Sequence, residues 1–234
     1  MKIISLWSGP RNISTALMYA FAQHPQVEVI DEPLYGHYLR ISGADHPGRD
    51  EVLSAMEVDG EKVLQSIIER DAEILFLKNM AHHWEALDSS WLKRFDHVLL
   101  TREPEDMLTS LVNQLPNPTL RDTGYKKQVE LLQLLGNDTP VIVAQDLLKN
   151  PEGILRQVCN RLGIAFTKDM LTWPAGPHPA DGVWARHWYH NVHRSTGFAP
   201  YMPKNTAVPP HLQDLLTECQ SYFNILKDHA ITTN

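Results

Sequence analysis

The chain has 234 residues, of which 43% are hydrophobic and 21% are charged, as is usual for a globular protein with a substantial core. Its formal net charge of −7 disfavours nucleic acid as the main partner, because phosphate backbones are bound mainly by clustered Lys and Arg. We find no apolar run long enough to span a membrane and no signal-peptide pattern, so we expect a cytoplasmic protein that does not bind membranes. The two cysteines, Cys159 and Cys219, are expected to be buried free thiols.

The first half of the chain alternates between short apolar runs and longer amphipathic segments. Short runs rich in Ile, Leu and Val predict buried strands, and 3.6-residue periodicity predicts helices. In chain order the predictions are a strand over 2–7, a turn over 8–12, a helix over 14–24, a strand over 27–30, a loop or lid over 36–58, a helix over 61–70 and a strand over 74–77.

The second half continues this alternation as far as residue 162. The predictions are a partly helical segment over 84–95, a strand over 97–100, helices over 103–114 and 125–135, a strand over 140–144, a helix over 152–162 ended by Gly163, and a last helix over 213–226. Strands that alternate with helices predict a three-layer α/β/α fold with a mainly parallel sheet. We expect residues 1–234 to form a single domain.

The segment 172–210 departs from this pattern. It holds seven prolines, three tryptophans and four histidines in 39 residues, a composition that predicts an ordered flap because aromatic residues are rare in linkers. Its His187, His190 and His193 recur every three residues, so a metal site is one interpretation. A polar flap with stacked aromatic rings is the interpretation we favour, and we expect no bound metal. The exposed Trp and Pro content leaves room for a homodimer.

The junction between the first strand and the first helix has the features of an anion site. A glycine-containing loop leads into a helix that opens on hydroxyl residues, where free N–H groups and the helix dipole favour negative charge. An ordinary helix cap is the alternative. The loop lacks the Lys and second Gly of a Walker A motif. The candidate phosphate-binding residues are Ser8, Gly9, Arg11, Asn12, Ser14 and Thr15.

The segment Gly9-Pro10-Arg11-Asn12-Ile13-Ser14-Thr15 resembles the phosphate loop of sulfotransferases that use 3′-phosphoadenosine 5′-phosphosulfate (PAPS). It is most similar to the Pro-Arg versions in bacterial carbohydrate and tyrosylprotein sulfotransferases. Asn12 and Ile13 depart from the family, which usually has Ser and Gly there. The acidic-Pro turn at 31–33 is also similar to the family pattern.

Two later segments extend the resemblance, so that it covers residues 3 to about 171. Residues 98–110 resemble the family's strand-Arg…Ser segment, which implies that Arg102 and Ser110 bind the 3′-phosphate of the donor. Residues 146–152 and 162–164 are similar to a scaffold segment of the family. The resemblance implies transfer of a sulfuryl group from PAPS to a hydroxyl or amine of a small-molecule acceptor, without a metal.

This chemistry assigns expected roles to several side chains. Arg11 would neutralise charge on the phosphate and the sulfuryl group, and Glu32 would accept the acceptor's proton, with Asp31 as a rival base. Glu32 could instead be a solvated carboxylate or a partner of Arg11. Lys78 is expected to assist at the same sheet edge, or else to be a surface lysine. His82 and His83 are more often loop residues in such a position.

Two other functions stay open from the sequence. A P-loop kinase would use Asp146 after the strand 140–144 to hold magnesium. A non-catalytic nucleotide-binding module would result if the changes at Asn12 and Ile13 no longer support transfer. Arg186, Arg194 and the turn 195–197 are weaker candidates for closing the donor site.

Overall fold

A five-stranded sheet forms the centre of the protein. The structure, a computed structural model, describes residues 1–203 and 206–232. The strands are β1 (Lys2–Ser8), β2 (Val27–Asp31), β3 (Ile74–Met80), β4 (Asp96–Thr101) and β5 (Val141–Val143). Their order is β2-β3-β1-β4-β5, and every pairing is parallel. The predicted parallel sheet is therefore confirmed, with β1 in the middle.

Helices connect these strands and cover the sheet. In chain order the described α-helices are α1 (Ser14–Ala22), α2 (Tyr35–Ser42), α3 (Arg49–Ala55), α4 (Gly60–Ile68), α5 (Pro104–Leu111), α6 (Leu120–Thr123), α7 (Tyr125–Leu135), α8 (Ala144–Lys149), α9 (Pro151–Leu162), α10 (Ala185–Trp188) and α11 (Gln213–Lys227). None of the helices within residues 1–203 and 206–232 combines the length and apolar character of a membrane span.

The alternation of side chains along β1 creates two cores. Ile4 and Leu6 face one side of the sheet, where they pack with α1, α8 and α9. Ile3 and Trp7 face the other side, where they pack with α4, α5, α7 and α11. Because successive strand residues point to opposite faces, one strand contributes to both cores. Helices on both faces confirm the predicted three-layer α/β/α architecture.

The end of helix α9 and the burial of both cysteines match the predictions made from the sequence. Gly163 ends α9 in the left-handed conformation, with φ of 66°, as the sequence predicts. Asn150 starts this helix, and its Oδ1 accepts a hydrogen bond of 2.9 Å from the Gly153 N–H. Cys159 and Cys219 are free and buried.

The prediction of a loop or lid over 36–58 is wrong, because this segment contains helix α3 and most of helix α2. Gly36, which suggested a loop, lies in the first turn of α2. A Cβ built on it would lie 3.0 Å from Met56 Cβ, so this glycine allows the segment after α3 to approach α2. Other bounds differ as well: β3 continues through Lys78 to Met80, α5 ends at Leu111, and α8 begins at Ala144, where the sequence favoured strand.

The predicted flap is folded against the rest of the protein, apart from Lys204 and Asn205, which lie outside the described residues. It contains α10, and 3-10 turns form at Val192–Arg194 and Pro210–Leu212. The Tyr19 hydroxyl on α1 donates a hydrogen bond of 2.6 Å to Asp181 in the flap. Aromatic residues of the flap and of α2 form a third apolar cluster. Its buried members are Tyr35, Tyr38, Leu39, Val52, Trp184, Ala185 and Tyr189.

Candidate active site

The loop between β1 and α1 has an unusual backbone. Arg11 (φ of 57°) and Ile13 (φ of 40°) are left-handed, whereas Asn12 between them is not. Such alternation turns successive N–H groups toward one side and forms a concavity suited to an anion. Ile13 holds this conformation although the family loop usually has Gly there, at a cost of about 1–3 kcal/mol. Strain of this kind is concentrated at functional sites in proteins.

The start of α1 is not an ordinary capped helix. Its N-cap position is Ile13, which has no capping group, and no described side chain caps it. The N–H groups of the first turn therefore remain available to a ligand. Ser14 and Thr15 lie buried in that first turn. The alternative interpretation of the loop as a simple N-cap motif is wrong for this helix.

Side chains beneath the loop hold it to the sheet. Asn12 Nδ2 donates to the Leu100 carbonyl at 2.6 Å. Gln128 Nε2 on α7 donates to the Leu100 carbonyl at 2.7 Å and to the Trp7 carbonyl at 3.2 Å. Gln128 thus joins the ends of β1 and β4, a role for which the sequence carried no signal. The Ser8 hydroxyl is likewise turned inward, donating to the Gly9 carbonyl at 3.0 Å.

Close packing against a neighbouring backbone explains why residue 9 is a glycine, apart from any approach to a phosphate. A Cβ built on Gly9 would lie 2.8 Å from the Thr123 carbonyl oxygen. Helices α6 and α7 meet beside it at Gly124, whose own built Cβ would lie 3.3 Å from Gly9 Cα. The loop is therefore packed backbone to backbone against the α6–α7 junction.

Two arginines and a serine converge on the loop. Arg11 Nε donates to Ser110 Oγ at 3.0 Å, and Arg102 donates to the Arg11 carbonyl at 2.8 Å. Arg102 also lies 3.6 Å from Asp106 in an ion pair. Burial and the charge of Arg102 lower the pKa of Arg11. Adjacent guanidinium groups repel each other, so a bound anion such as phosphate would stabilise this arrangement.

A second polar centre lies where β2 and β3 run side by side. Lys78 on β3 pairs in register with Asp31 on β2, and its ammonium donates to Asp31 Oδ1 at 3.0 Å and to Glu32 Oε1. Tyr189 from the flap covers them, accepting from Lys78 Nζ at 2.6 Å. Lys78 is 1% exposed. The surface-lysine interpretation is wrong, and Glu32 is neither a solvated carboxylate nor a partner of Arg11.

The charges in this centre shift one another's pKa values. Burial raises the pKa of Glu32, the charge of Lys78 opposes this, and the charge of Asp31 adds to it. Burial alone would lower the pKa of Lys78, but Asp31 and Glu32 outweigh burial and raise it. Lys78 is therefore a fixed cation, and Glu32 is a carboxyl whose proton affinity exceeds that of an exposed Glu. Both properties suit a site that moves a proton.

His82 and His83 are buried in the wall of the site. Burial and the neighbouring His46 lower the pKa of His82 to about 3, and burial and His82 lower that of His83 well below its usual value. The Nδ1 atoms of His82 and His83 have no hydrogen-bond partner within the described residues. His83 Nδ1 lies 3.9 Å from Glu32 Oε2. These neutral imidazoles are therefore not ordinary loop residues, and a catalytic role for them stays a prediction.

Several other candidates lie away from both centres. Asp146 belongs to α8, its side chain is 42% exposed, and it pairs with Lys149 at 3.6 Å. Arg186 donates to Glu51, and Arg194 donates to Asn191 at 2.8 Å.

The histidines of the flap do not gather into a metal site. His193 pairs with Asp181 at 2.9 Å, and the imidazole of His187 would lie 3.1 Å from a Cβ built on Gly48. Residues 1–203 and 206–232 include no group of three or more His, Cys, Asp or Glu suited to a metal ion.

Sequence reasoning missed the flap residues that complete the second centre. The Trp184 indole N–H donates to the Tyr189 hydroxyl at 3.1 Å, and Tyr189 lies more than 150 positions from Asp31. The density of aromatic residues in the flap was the available signal, but it did not indicate which ring enters the site.

Comparison with known proteins identifies the family through a model that matches nearly the whole chain. A family model described as "Sulfotransferase domain" matches residues 1–230. Branched-chain-amino-acid aminotransferase-like proteins 2 and 1 of Arabidopsis thaliana are 39% and 40% identical to the chain over 235 residues. Each alignment covers 98% of this chain and 42% of the relative. The chain thus spans about two fifths of the length of these curated relatives.

Solved structures agree on the fold. The sulfotransferase domain of the Synechococcus PCC 7002 olefin synthase has a TM-score of 0.61 and 18% identity, with 96% of this chain and 94% of that chain covered. The sulfotransferase of Alicyclobacillus acidocaldarius has a TM-score of 0.60 and 10% identity, with 97% and 95% covered. The sulfotransferase domain from the curacin biosynthetic pathway has a TM-score of 0.55 and 19% identity, with 97% of both chains covered. At these identities the likeness concerns the fold alone.

Proposed function

Because the chain belongs to the sulfotransferase domain family, a family of transferase enzymes, we propose that it moves a sulfuryl group from PAPS to a hydroxyl or amine of a small-molecule acceptor. The observation that carries the proposal is the convergence of Arg11, Arg102 and Ser110 on the strained loop after β1. The net charge of −7 does not exclude a small anionic donor, because such a donor needs only a local positive pocket. A cytoplasmic location is part of this proposal.

The residues present fit such a donor. Arg102 and Ser110 would hold its 3′-phosphate, whereas the loop N–H groups, Arg11, Ser14 and Thr15 would hold its 5′-phosphosulfate. The repulsion between the two guanidinium groups supports this fit, because the phosphate groups of the donor place negative charge beside both of them. The uncapped start of α1 supports it independently, since its N–H groups need acceptors.

The second centre would serve the acceptor. As the acceptor oxygen bonds to sulfur, the bridging S–O bond breaks, and 3′-phosphoadenosine 5′-phosphate (PAP) leaves with the electron pair. Glu32 would take the acceptor's proton, with Asp31 as the rival base, and Lys78 would stabilise negative charge on the transferring group. The raised pKa of Glu32 supports this role, because a carboxylate with a higher proton affinity is a better proton acceptor.

Binding of PAP provides the test. Calorimetry is expected to show binding that weakens at least tenfold in Arg102→Ala, since the variant loses charge-assisted hydrogen bonds to phosphate. Arg70→Ala is the matched control, because the exposed Arg70 pairs with Glu28 near the start of β2, at the other end of the parallel strands from the loop. Magnesium-dependent ATP binding without affinity for PAP would overturn the proposal in favour of a kinase. The half-exposed Asp146 pairs with Lys149 on α8, which weakens the main sequence support for that alternative.

A panel of acceptors with labelled PAPS separates an enzyme from a binding module. We expect the label to move to at least one alcohol, phenol or amine. Donor binding without transfer to any acceptor would favour a non-catalytic module.

A further inference from the structure

The hydroxyl of Tyr189 lies at the centre of the buried carboxylate–lysine site. It accepts hydrogen bonds from Lys78 Nζ at 2.6 Å and from Trp184 Nε1 at 3.1 Å, and it donates to Asp31 Oδ2 at 2.8 Å. Glu32 Oε1 lies 3.4 Å away. One donor and two acceptor positions are all that a hydroxyl has, so this group is fully satisfied.

An acceptor hydroxyl about to react needs the same surroundings. Its proton must point at a carboxylate that can take it, and its oxygen must lie near a cation that stabilises developing charge. We propose that the Tyr189 hydroxyl occupies the position of the acceptor's hydroxyl, so that Tyr189 competes with the acceptor and determines which acceptors enter. The inference rests on the proposed sulfuryl transfer, and it adds a specificity-determining residue to it.

The way Tyr189 is held makes this exchange feasible. Tyr189 follows the short helix α10 in the flap, whereas Asp31 and Lys78 belong to paired central strands. Withdrawal of the flap therefore breaks no strand pairing. It does leave Lys78 and Asp31 without their hydroxyl partner, which is costly unless another hydroxyl replaces it. An alcohol or phenol restores both hydrogen bonds, whereas an ether has no proton to give to Asp31 or Glu32.

The surroundings of the Tyr189 ring indicate which group attached to the hydroxyl an acceptor can carry. Tyr189 lies in the apolar cluster with Tyr35 and Trp184, and Lys78 Nζ is 4.9 Å from the centre of its ring. A phenol placed where Tyr189 now lies would keep these contacts. The probe we select is therefore p-cresol, which is the tyrosine side chain as a free molecule.

The experiment removes the Tyr189 side chain and supplies p-cresol as the acceptor. Tyr189→Ala is incubated with p-cresol and PAPS labelled in its sulfuryl group, and labelled p-cresyl sulfate is measured. We expect transfer at least ten times faster than in the parent at equal p-cresol, because the variant has space for the ring. Trp188→Ala is the control, since Trp188 packs on the same cluster yet has no contact with the hydroxyl, and it should behave like the parent.

A milder variant covers the case in which Tyr189→Ala does not fold. Tyr189→Phe keeps the ring and removes the bonds that hold it in place, so its KM for p-cresol should fall about tenfold with kcat retained. A lower kcat at unchanged KM would show that Tyr189 is a positioning residue and would overturn the inference. The inference is also rejected if Tyr189→Ala gains no transfer over the parent while PAP binding is intact. Loss of PAP binding in the parent itself would instead reject the proposed function.

Discussion

Arg11 and Glu32 lie at the ends of different strands and contact different groups. Arg11 follows β1, bonds to Ser110 and lies beside Arg102. Glu32 follows β2 and bonds to Lys78 and Tyr189. Since no described contact joins the two residues, their contributions to binding and to transfer should separate by mutation.

Arg11→Ala is expected to weaken PAP binding and to slow transfer, because its charge faces the donor in both the bound state and the transition state. Glu32→Gln should leave PAP affinity nearly unchanged and lower turnover by about 10²–10⁴, the usual scale for one positioned base. Calorimetry and single-turnover transfer with one identified acceptor measure the two effects.

Gln is the matched replacement at position 32, because its side-chain oxygen can still accept from Lys78. If Glu32→Gln turned over at the parent rate, Glu32 would be a structural carboxylate. Asp31 or His82 would then be the next base to test.

At the level of elements, the flap and helices α2 and α3 form one unit. Trp184 and Tyr189 pack with Tyr35, Tyr38 and Leu39 of α2, and the rings of Tyr35 and Trp184 meet edge to face at 5.1 Å. Arg186 forms an ion pair with Glu51 of α3 at the surface of this unit. The unit covers Lys78 without adding a strand to the sheet.

Trp184→Ala should open the flap without unfolding the sheet. Truncation of a buried Trp costs about 3–5 kcal/mol, so the open population should rise by at least about 100-fold. Trypsin cleavage after the exposed Arg186 and Arg194 reports this opening. Trp91→Ala, which removes a partly buried indole packed on the core that contains α4, α5, α7 and α11, is the control and should leave those cleavage rates unchanged. Equal rates in Trp184→Ala and the parent would show that other contacts hold the flap.

Local sequence patterns predicted some of these elements and not others. The strands and most helices follow from short-range periodicity. Arg11 was a candidate from the loop itself, and the resemblance to sulfotransferase segments implied Arg102 and Ser110. The burial of Lys78 could not be predicted, because a lysine is usually exposed and its partners lie on another strand and in the flap. Helices α2 and α3 were missed because their apolar residues face a cluster completed by residues 184–189, which no local pattern reveals.

At the level of the whole molecule, the buried neutral histidines couple stability to pH. The pKa of His82 is about 3 in the folded protein, where burial and His46 disfavour the proton and Asp122 favours it, against 6.5 for an ordinary His. Between these values the unfolded state binds a proton that the folded state does not. Stability from His82 is therefore present above about pH 6.5 and is lost as the pH falls toward 3.

His82→Gln is expected to reduce the slope of unfolding free energy against pH by about 1.4 kcal/mol per pH unit between pH 4.5 and 6. Urea denaturation at several pH values measures that slope. His190→Gln is the control, since it makes the same substitution at an exposed position. An unchanged slope in His82→Gln would mean that His82 is accessible to protons in the folded protein.

The strand order has a consequence for how such a protein can diversify. Because β1 is central, the arginine centre is built from β1, β4 and α5, whereas the carboxylate–lysine centre is built from β2, β3 and the flap. The two centres therefore draw on separate stretches of the chain on either side of one strand. Under the proposed function, replacement of residues 33–58 and 172–200 should change the molecule that receives the group, while Asp31, Glu32 and the donor-binding residues are kept.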